Sequence, residues 1–213
     1  MPETIIRKYL PQDRESVRDI AWNTALMGES AAAFFEGKEV FSDILTLYFT
    51  DYEPESSFVA ESDGQVVGYL LGAKDVKLMS KKTFAIGFKL LLKVILRGTL
   101  LSKKNLHFVF KLIASVSKGE FNDPHFAKDY PATLHINLKD GWRASGLGSK
   151  LISAYLGYLS QLGVKGVYLA TMSDQASIFF SKQGFGLLYQ AKRSYFQHIL
   201  GKDINIYIYG KKL

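Results

Sequence analysis

"GWRASGLGSKLISAYLGYL", residues 141–159, begins with three glycines in eight residues and continues as an apolar-striped helix. Leu147, Leu151, Ile152, Tyr155, Leu156 and Leu159 fall on one face at helical spacing, so the helix is expected to pack against a sheet. A glycine-rich turn that feeds a helix suits phosphate. Glycines let a diphosphate approach the backbone, and the first helical turn carries N–H groups with no intrahelical acceptor. Two nucleotide loops fail at specific positions. A Walker A loop fits Gly141 and Gly146, but Leu147 and Gly148 stand where the phosphate lysine and the magnesium-binding hydroxyl are needed. A dinucleotide fingerprint fits Gly146 and Gly148 and fails at Leu151. On this stretch alone, a plain strand-to-helix connection with glycine selected for tightness stays open.

The flanks predict an alternation of strands and helices. Upstream, "ATLHINL" (132–138) is β-branched and alternating, hence a strand leading into the turn. Downstream come a strand in "GVKGVYLAT" (163–171) and a helix in "SDQASIFFSKQ" (173–183). Ser173 or Asp174 is expected as its N-cap and Gly184 as its stop. "GLLYQAKRSYF" (186–196) and "DINIYIYGKK" (203–212) alternate like a closing antiparallel pair. At the other end, "ETIIRKY" (3–9) predicts a strand, and Asp13 is placed to cap a helix running to about Met27. A second helix is expected in "FSDILTLYFTDY" (41–52), then a hairpin over 56–75 that turns at Asp63-Gly64.

Residues 76–118 differ in character: ten Lys or Arg and no acidic residue. Lys89, Lys93 and Arg97 recur every four residues and so share one helix face within the most apolar part. Charges in mid-segment argue against a transmembrane span, and an amphipathic helix pair is expected. Such a pair could present a solvated lysine face, a lid, a peripheral membrane surface or a dock for an acidic protein. Nucleic acid is disfavoured, because Phe84, Phe88, Phe108 and Phe110 fit the apolar face rather than a stacking platform.

Composition bounds the rest. With 213 residues, 47% apolar and 22% charged, the chain can fill one core. The formal charge of +7 suits an anionic ligand, partner or surface. There is no cysteine, which removes disulfides, thiolate nucleophiles and cysteine zinc sites. His107, His125, His135 and His198 lack paired-ligand spacing, so no metal is expected. "MPETIIRKYLPQD" has no apolar signal-peptide core, and a cytoplasmic location is the expectation.

Arg143-Ala144-Ser145-Gly146-Leu147-Gly148 reads R-x-x-G-x-G, and "SIFFSKQGF" (177–185) follows some thirty residues on. Together they resemble the pyrophosphate-binding motif and the downstream helix signature of the GCN5-related N-acetyltransferase (GNAT) superfamily. The order of elements resembles that family too, over about residues 3–75 and 131–213. The resemblance implies one α/β (α+β) domain over 1–213, with a mixed, mostly antiparallel sheet flanked by helices and a basic helical insertion at about 76–130. It implies acetyl-CoA as co-substrate. Ile136, Asn137 and Leu138 would pair with the pantetheine arm as an added strand. The N–H groups of Arg143 to Ser149, that is Arg143, Ala144, Ser145, Gly146, Leu147, Gly148 and Ser149, would hold the diphosphate, with charge from Arg143 and Lys150.

The implied reaction is direct acetyl transfer to a small-molecule or peptide amine. It needs a neutral amine, a proton acceptor and an acid for the thiolate. Where the family usually carries a tyrosine acid this chain has Phe180, and at a position often asparagine it has Ser173. The rival readings are a CoA-binding module with impaired catalysis and a docking protein that acts through the insertion. Among bases, His135 is the candidate expected to titrate near neutral pH, on the opposite face of its strand from Leu134 and Ile136. Asp140 reads as a loop carboxylate, and Tyr189, Tyr195 and Tyr207 sit on the closing strands where the family shapes its acceptor pocket.

Overall fold

Alternating β-branched runs pair where the sequence predicts strands. In the computed structural model, which describes residues 3–213, these are β1 (Thr4–Lys8), β2 (Phe58–Ser62), β3 (Gln65–Ala73), β4 (Ala132–Leu138), β5 (Gly166–Thr171), β6 (Gly186–Arg193) and β7 (Ile204–Lys212). They form one seven-stranded sheet in the order β1-β2-β3-β4-β5-β7-β6, antiparallel everywhere except between β4 and β5. The β2–β3 hairpin turns on Asp63 and Gly64 at φ 47° and 75°, the positive pair that a two-residue turn requires.

Helices cover both faces. α1 (Arg14–Thr24) and α2 (Lys38–Asp51) precede the hairpin. α3 (Val76–Leu96) and α4 (Lys103–Ser117) lie between β3 and β4, as the basic segment predicts. α5 (Leu147–Gln161) follows β4, α6 (Asp174–Lys182) follows β5, and a short α7 (Gln197–Leu200) joins β6 to β7. On one face, Leu151, Ile152, Tyr155 and Leu159 of α5 and Phe180 of α6 pack on Leu70, Leu134, Val167 and Leu169. On the other, Val17, Ile20 and Ala21 of α1 pack on Val59, Tyr69 and Leu71. Phe34 and Phe35 of the α1–α2 connection join Ile204, Ile206 and Ile208 in a third cluster, against which Phe108 and Leu112 of α4 rest.

Three local expectations change. Asp13 is not a side-chain cap. It is buried, and its carboxylate accepts from Arg7 at 2.6 and 2.8 Å and from the Leu10 N–H at 2.8 Å, tying the end of β1 to the start of α1. α1 ends at Thr24 rather than Met27, because Met27 (φ 54°) and Gly28 (φ 105°) form a tight turn between Leu26 and Glu29.

The third change concerns α3. Ile86 packs on Tyr48 of α2, with Leu90 alongside, while Lys93 reaches Asp43 at 2.6 Å and Arg97 pairs with Glu39. Lys93 therefore lies half-buried against α2, while Arg97 and its partner Glu39 stay exposed at the rim of the same seam. Ile86 and Leu90 fill this seam together with Lys93, which answers the buried Asp43 carboxylate, and Phe84 and Phe88 are left outside, 88% and 74% exposed. Of the four aromatics placed on the apolar face, Phe108 packs inward and Phe84, Phe88 and Phe110 are exposed. Asn105 bolts α4 down: wholly buried, it accepts from the Glu36 N–H and donates to the Glu36 and Thr99 carbonyls, each at 2.7 Å.

Candidate functional site

The sheet opens at its one parallel seam. β4 pairs with β3 over six residues, Thr133 to Leu138. Against β5 it pairs only at Ala132–Val167 and Thr133–Tyr168. Beyond Thr133 the two strands part, so the β5-facing edge of Leu134 to Leu138 has no strand partner among the described residues. An unpaired edge inside a sheet is a template for an extended ligand. Ile136 and Leu138 pack toward α5, and His135 lies on the opposite face beside Tyr69, as the alternation predicts.

The glycine turn begins at the end of this edge. Gly141, Ala144 and Gly146 all have positive φ (81°, 59° and 83°), and Gly146 occupies the N-cap position of α5 with no side-chain cap. A non-glycine residue at positive φ is uncommon and costs backbone strain, so Ala144 marks a turn that the surrounding structure enforces. The first intrahelical bond is Lys150 N–H to the Gly146 carbonyl at 3.2 Å. The N–H groups of Gly148 and Ser149 precede it and lie at the positive end of the helix dipole. Gly148 is buried, and a Cβ there would sit 3.2 Å from the Phe179 ring of α6 and 3.8 Å from Leu138. Glycine at 148 thus lets α5, α6 and the end of β4 converge.

Other predicted residues have resolved positions. Arg143 is exposed, and its guanidinium donates to the Gly28 carbonyl at 2.8 Å, linking the turn to the α1–α2 connection. The Ser145 hydroxyl donates to the Trp142 carbonyl at 2.6 Å. Of the two cap candidates on α6 it is Ser173 that caps, its hydroxyl accepting from the Ala176 N–H at 3.2 Å. Phe180 is buried among Phe179, Phe185 and Tyr209. Asp140 and Lys150 are exposed at the turn. Tyr195 belongs to the third core cluster with Tyr189 against it, and Tyr207 donates to Asp174 at 2.8 Å.

His135 departs from its expected behaviour. Its Nδ1 lies 3.4 Å from the Tyr69 hydroxyl and its Nε2 lies 3.3 Å from Asn137 Nδ2, which also donates to Tyr69 at 2.9 Å. Burial pushes the imidazole down to about 4. It is therefore neutral across the physiological range, with both nitrogens facing protein groups, rather than titrating near pH 7. One pair was not legible in advance: the Ser177 and Tyr209 hydroxyls, 2.8 Å apart, beside Phe180. They stand on α6 and β7, and no sequence spacing links them. Among the described residues no group of three or more His, Cys, Asp or Glu could hold a metal, and no helix is long and apolar enough to cross a membrane.

No family model matches the chain, and no curated protein matches it. Solved structures do. SsHAT superposes with a TM-score of 0.67 at 24% identity, covering 99% of this chain and 98% of that one. A Drosophila melanogaster polyamine N-acetyltransferase that forms N-acetylagmatine gives 0.65 at 14% identity, covering 99% and 100%. A Sinorhizobium meliloti phosphinothricin acetyltransferase of the GNAT superfamily, in complex with acetyl-CoA, gives 0.60 at 16% identity, covering 99% and 88%. The parted β4–β5 seam, the glycine turn at its end and these superpositions lead to one assignment: the chain has the GNAT acetyltransferase fold.

Proposed function

We propose that the chain is an acetyl-CoA-dependent N-acetyltransferase of the GNAT superfamily that acts on a small amine. The observation that carries this reading is the coincidence of two features on β4: a strand edge unpaired beyond Thr133, and a helix N-terminus at the end of the same strand. The edge of Ile136, Asn137 and Leu138 matches the amide-bearing pantetheine arm. The N–H groups from Arg143 to Ser149 match a diphosphate, and Arg143 and Lys150 add positive charge at its rim. Ser173 and Phe180 contribute by cap and packing, which hold α6 against Gly148.

In the reaction the amine lone pair attacks the thioester carbonyl, a C–N bond forms and the C–S bond breaks. The attacking nitrogen gives up a proton and the thiolate takes one up. The β4 edge fixes the thioester, and positioning supplies a large share of the rate. We assign His135 to the acceptor side as a neutral member of the Tyr69–Asn137 network, so the amine proton passes to water rather than to the imidazole. Phe180 has no proton to give. The adjoining Ser177–Tyr209 hydroxyl pair takes the acid's place. The neighbours' named substrates, agmatine, polyamine and phosphinothricin, favour a small primary amine as acceptor.

Thiol release from acetyl-CoA in the presence of agmatine, a polyamine and phosphinothricin tests the proposal. Turnover with at least one amine is expected. Tyr209→Phe should lower kcat about a hundredfold, the usual scale of lost acid catalysis, with KM for acetyl-CoA unchanged. Full activity in Tyr209→Phe would remove the acid assignment. Absence of acetyl-CoA binding would remove the whole reading.

A further inference from the structure

α3 and α4 present an outer face that none of the described residues covers. At heptad-like spacing along α3, Lys77, Lys81, Phe84, Phe88, Leu91 and Ile95 form one stripe, and all six are exposed. α4 repeats the pattern with Lys103, Leu106, Phe110 and Ile113, again all exposed, and Leu96 and Leu101 at the connection are 76% and 84% exposed. An apolar surface of this kind is unusual on a monomer and marks an interaction site.

Charge narrows the choice of occupant. Across 76–118 there are ten cations and no carboxylate. The cations with partners sit at the seams: Lys93 with Asp43, Arg97 with Glu39, Lys104 with Glu36 and Lys118 with Glu120. Lys77, Lys81 and Lys103, on the apolar stripes, make no salt bridge among the described residues. A second copy seated face to face would bring lysine against lysine with no acid to answer it. An anionic bilayer surface answers both features: acyl chains accept the Phe, Leu and Ile side chains, and lysines reach headgroup phosphates and carboxylates. α3, about 30 Å long at 1.5 Å per residue, suits a helix lying in the interface plane.

We propose that the outer face of α3 and α4 docks the protein on an anionic lipid surface. This goes beyond the acetyl-transfer reading and does not depend on it. The test is co-sedimentation of the full chain with phosphatidylcholine vesicles, with and without phosphatidylserine. Wild type should bind the phosphatidylserine vesicles, and binding should weaken at high salt and on neutral vesicles. The double variant Phe84→Ser/Phe88→Ser should bind at least tenfold more weakly, and each of Lys77→Gln and Lys81→Gln roughly fivefold more weakly. These positions are exposed, so the thermal midpoint should not fall. As a second readout, Phe88→Trp should shift its emission to the blue on anionic vesicles. The proposal is overturned by no binding to phosphatidylserine vesicles, or by binding that the serine variant leaves intact. It is equally overturned if light scattering finds a dimer that the serine variant dissolves.

Discussion

The start of α5 and the outer face of α3–α4 are both incomplete, but what each lacks is different. At α5 the described residues leave backbone N–H groups and a strand edge without partners, and pack closely around them, as where Gly148 lets the Phe179 ring approach. On α3–α4 the backbone is satisfied within helices, and what lacks a partner is apolar side chain. Unmet hydrogen bonds select a ligand by geometry and direction. Unmet apolar surface selects a phase or a surface with little regard to direction. The first region therefore reads as a site for one molecule and the second as a site for an interface.

Substitutions can separate the two. The largest effect is expected at Gly148→Glu, which forces a side chain against Phe179 and sets a negative charge in the first turn of α5, where the proposed diphosphate site lies. Acetyl-CoA affinity should fall about a thousandfold, or about 4 kcal/mol, by calorimetry, while vesicle binding stays at the wild-type level. Loss of both together with an unchanged thermal midpoint would show that the two regions are coupled. Next is Asn105→Ala, which strands the Glu36 and Thr99 groups that anchor α4. Denaturant unfolding should report a loss of about 3 kcal/mol. A loss under about 0.5 kcal/mol, the range of an ordinary surface change, would mean that α4 is not bolted down as described.

A smaller effect concerns pH. The folded His135 imidazole is lowered from 6.5 to about 4, so between those values the unfolded chain binds the extra proton. The contribution is intact above about pH 6.5 and declines as pH falls toward 4, by roughly 3 kcal/mol in all. His135→Gln should flatten that part of the stability–pH profile. An unchanged slope would show that the half-buried His135 is not held neutral beside Tyr69 and Asn137.

The sequence was more informative about the first region than about the second. The turn, the strand before it, Ser173 as cap and Gly184 as stop were readable because each rests on local chemistry within a few residues. The face of α3 was not. Lys89, Lys93 and Arg97 share a helical stripe in the sequence, but which stripe turns inward depends on Asp43 and Glu39, some fifty residues earlier. The Ser177–Tyr209 pair and the Tyr69–His135–Asn137 network escaped for the same reason, since each joins separate elements across the sheet or helix packing. Asp13 fits a cap by spacing and serves Arg7 instead, because a charged partner within reach is a stronger claim on a buried carboxylate.

Amide hydrogen exchange with and without acetyl-CoA tests the central claim most directly, because it reports where on the chain the molecule binds. Acetyl-CoA is expected to slow exchange at residues 136–138 and 143–149 and to leave α3 and α4 unchanged. Protection confined to α3–α4, or no protection at any ligand concentration, would contradict the assignment of the β4 edge and the glycine turn to acetyl-CoA.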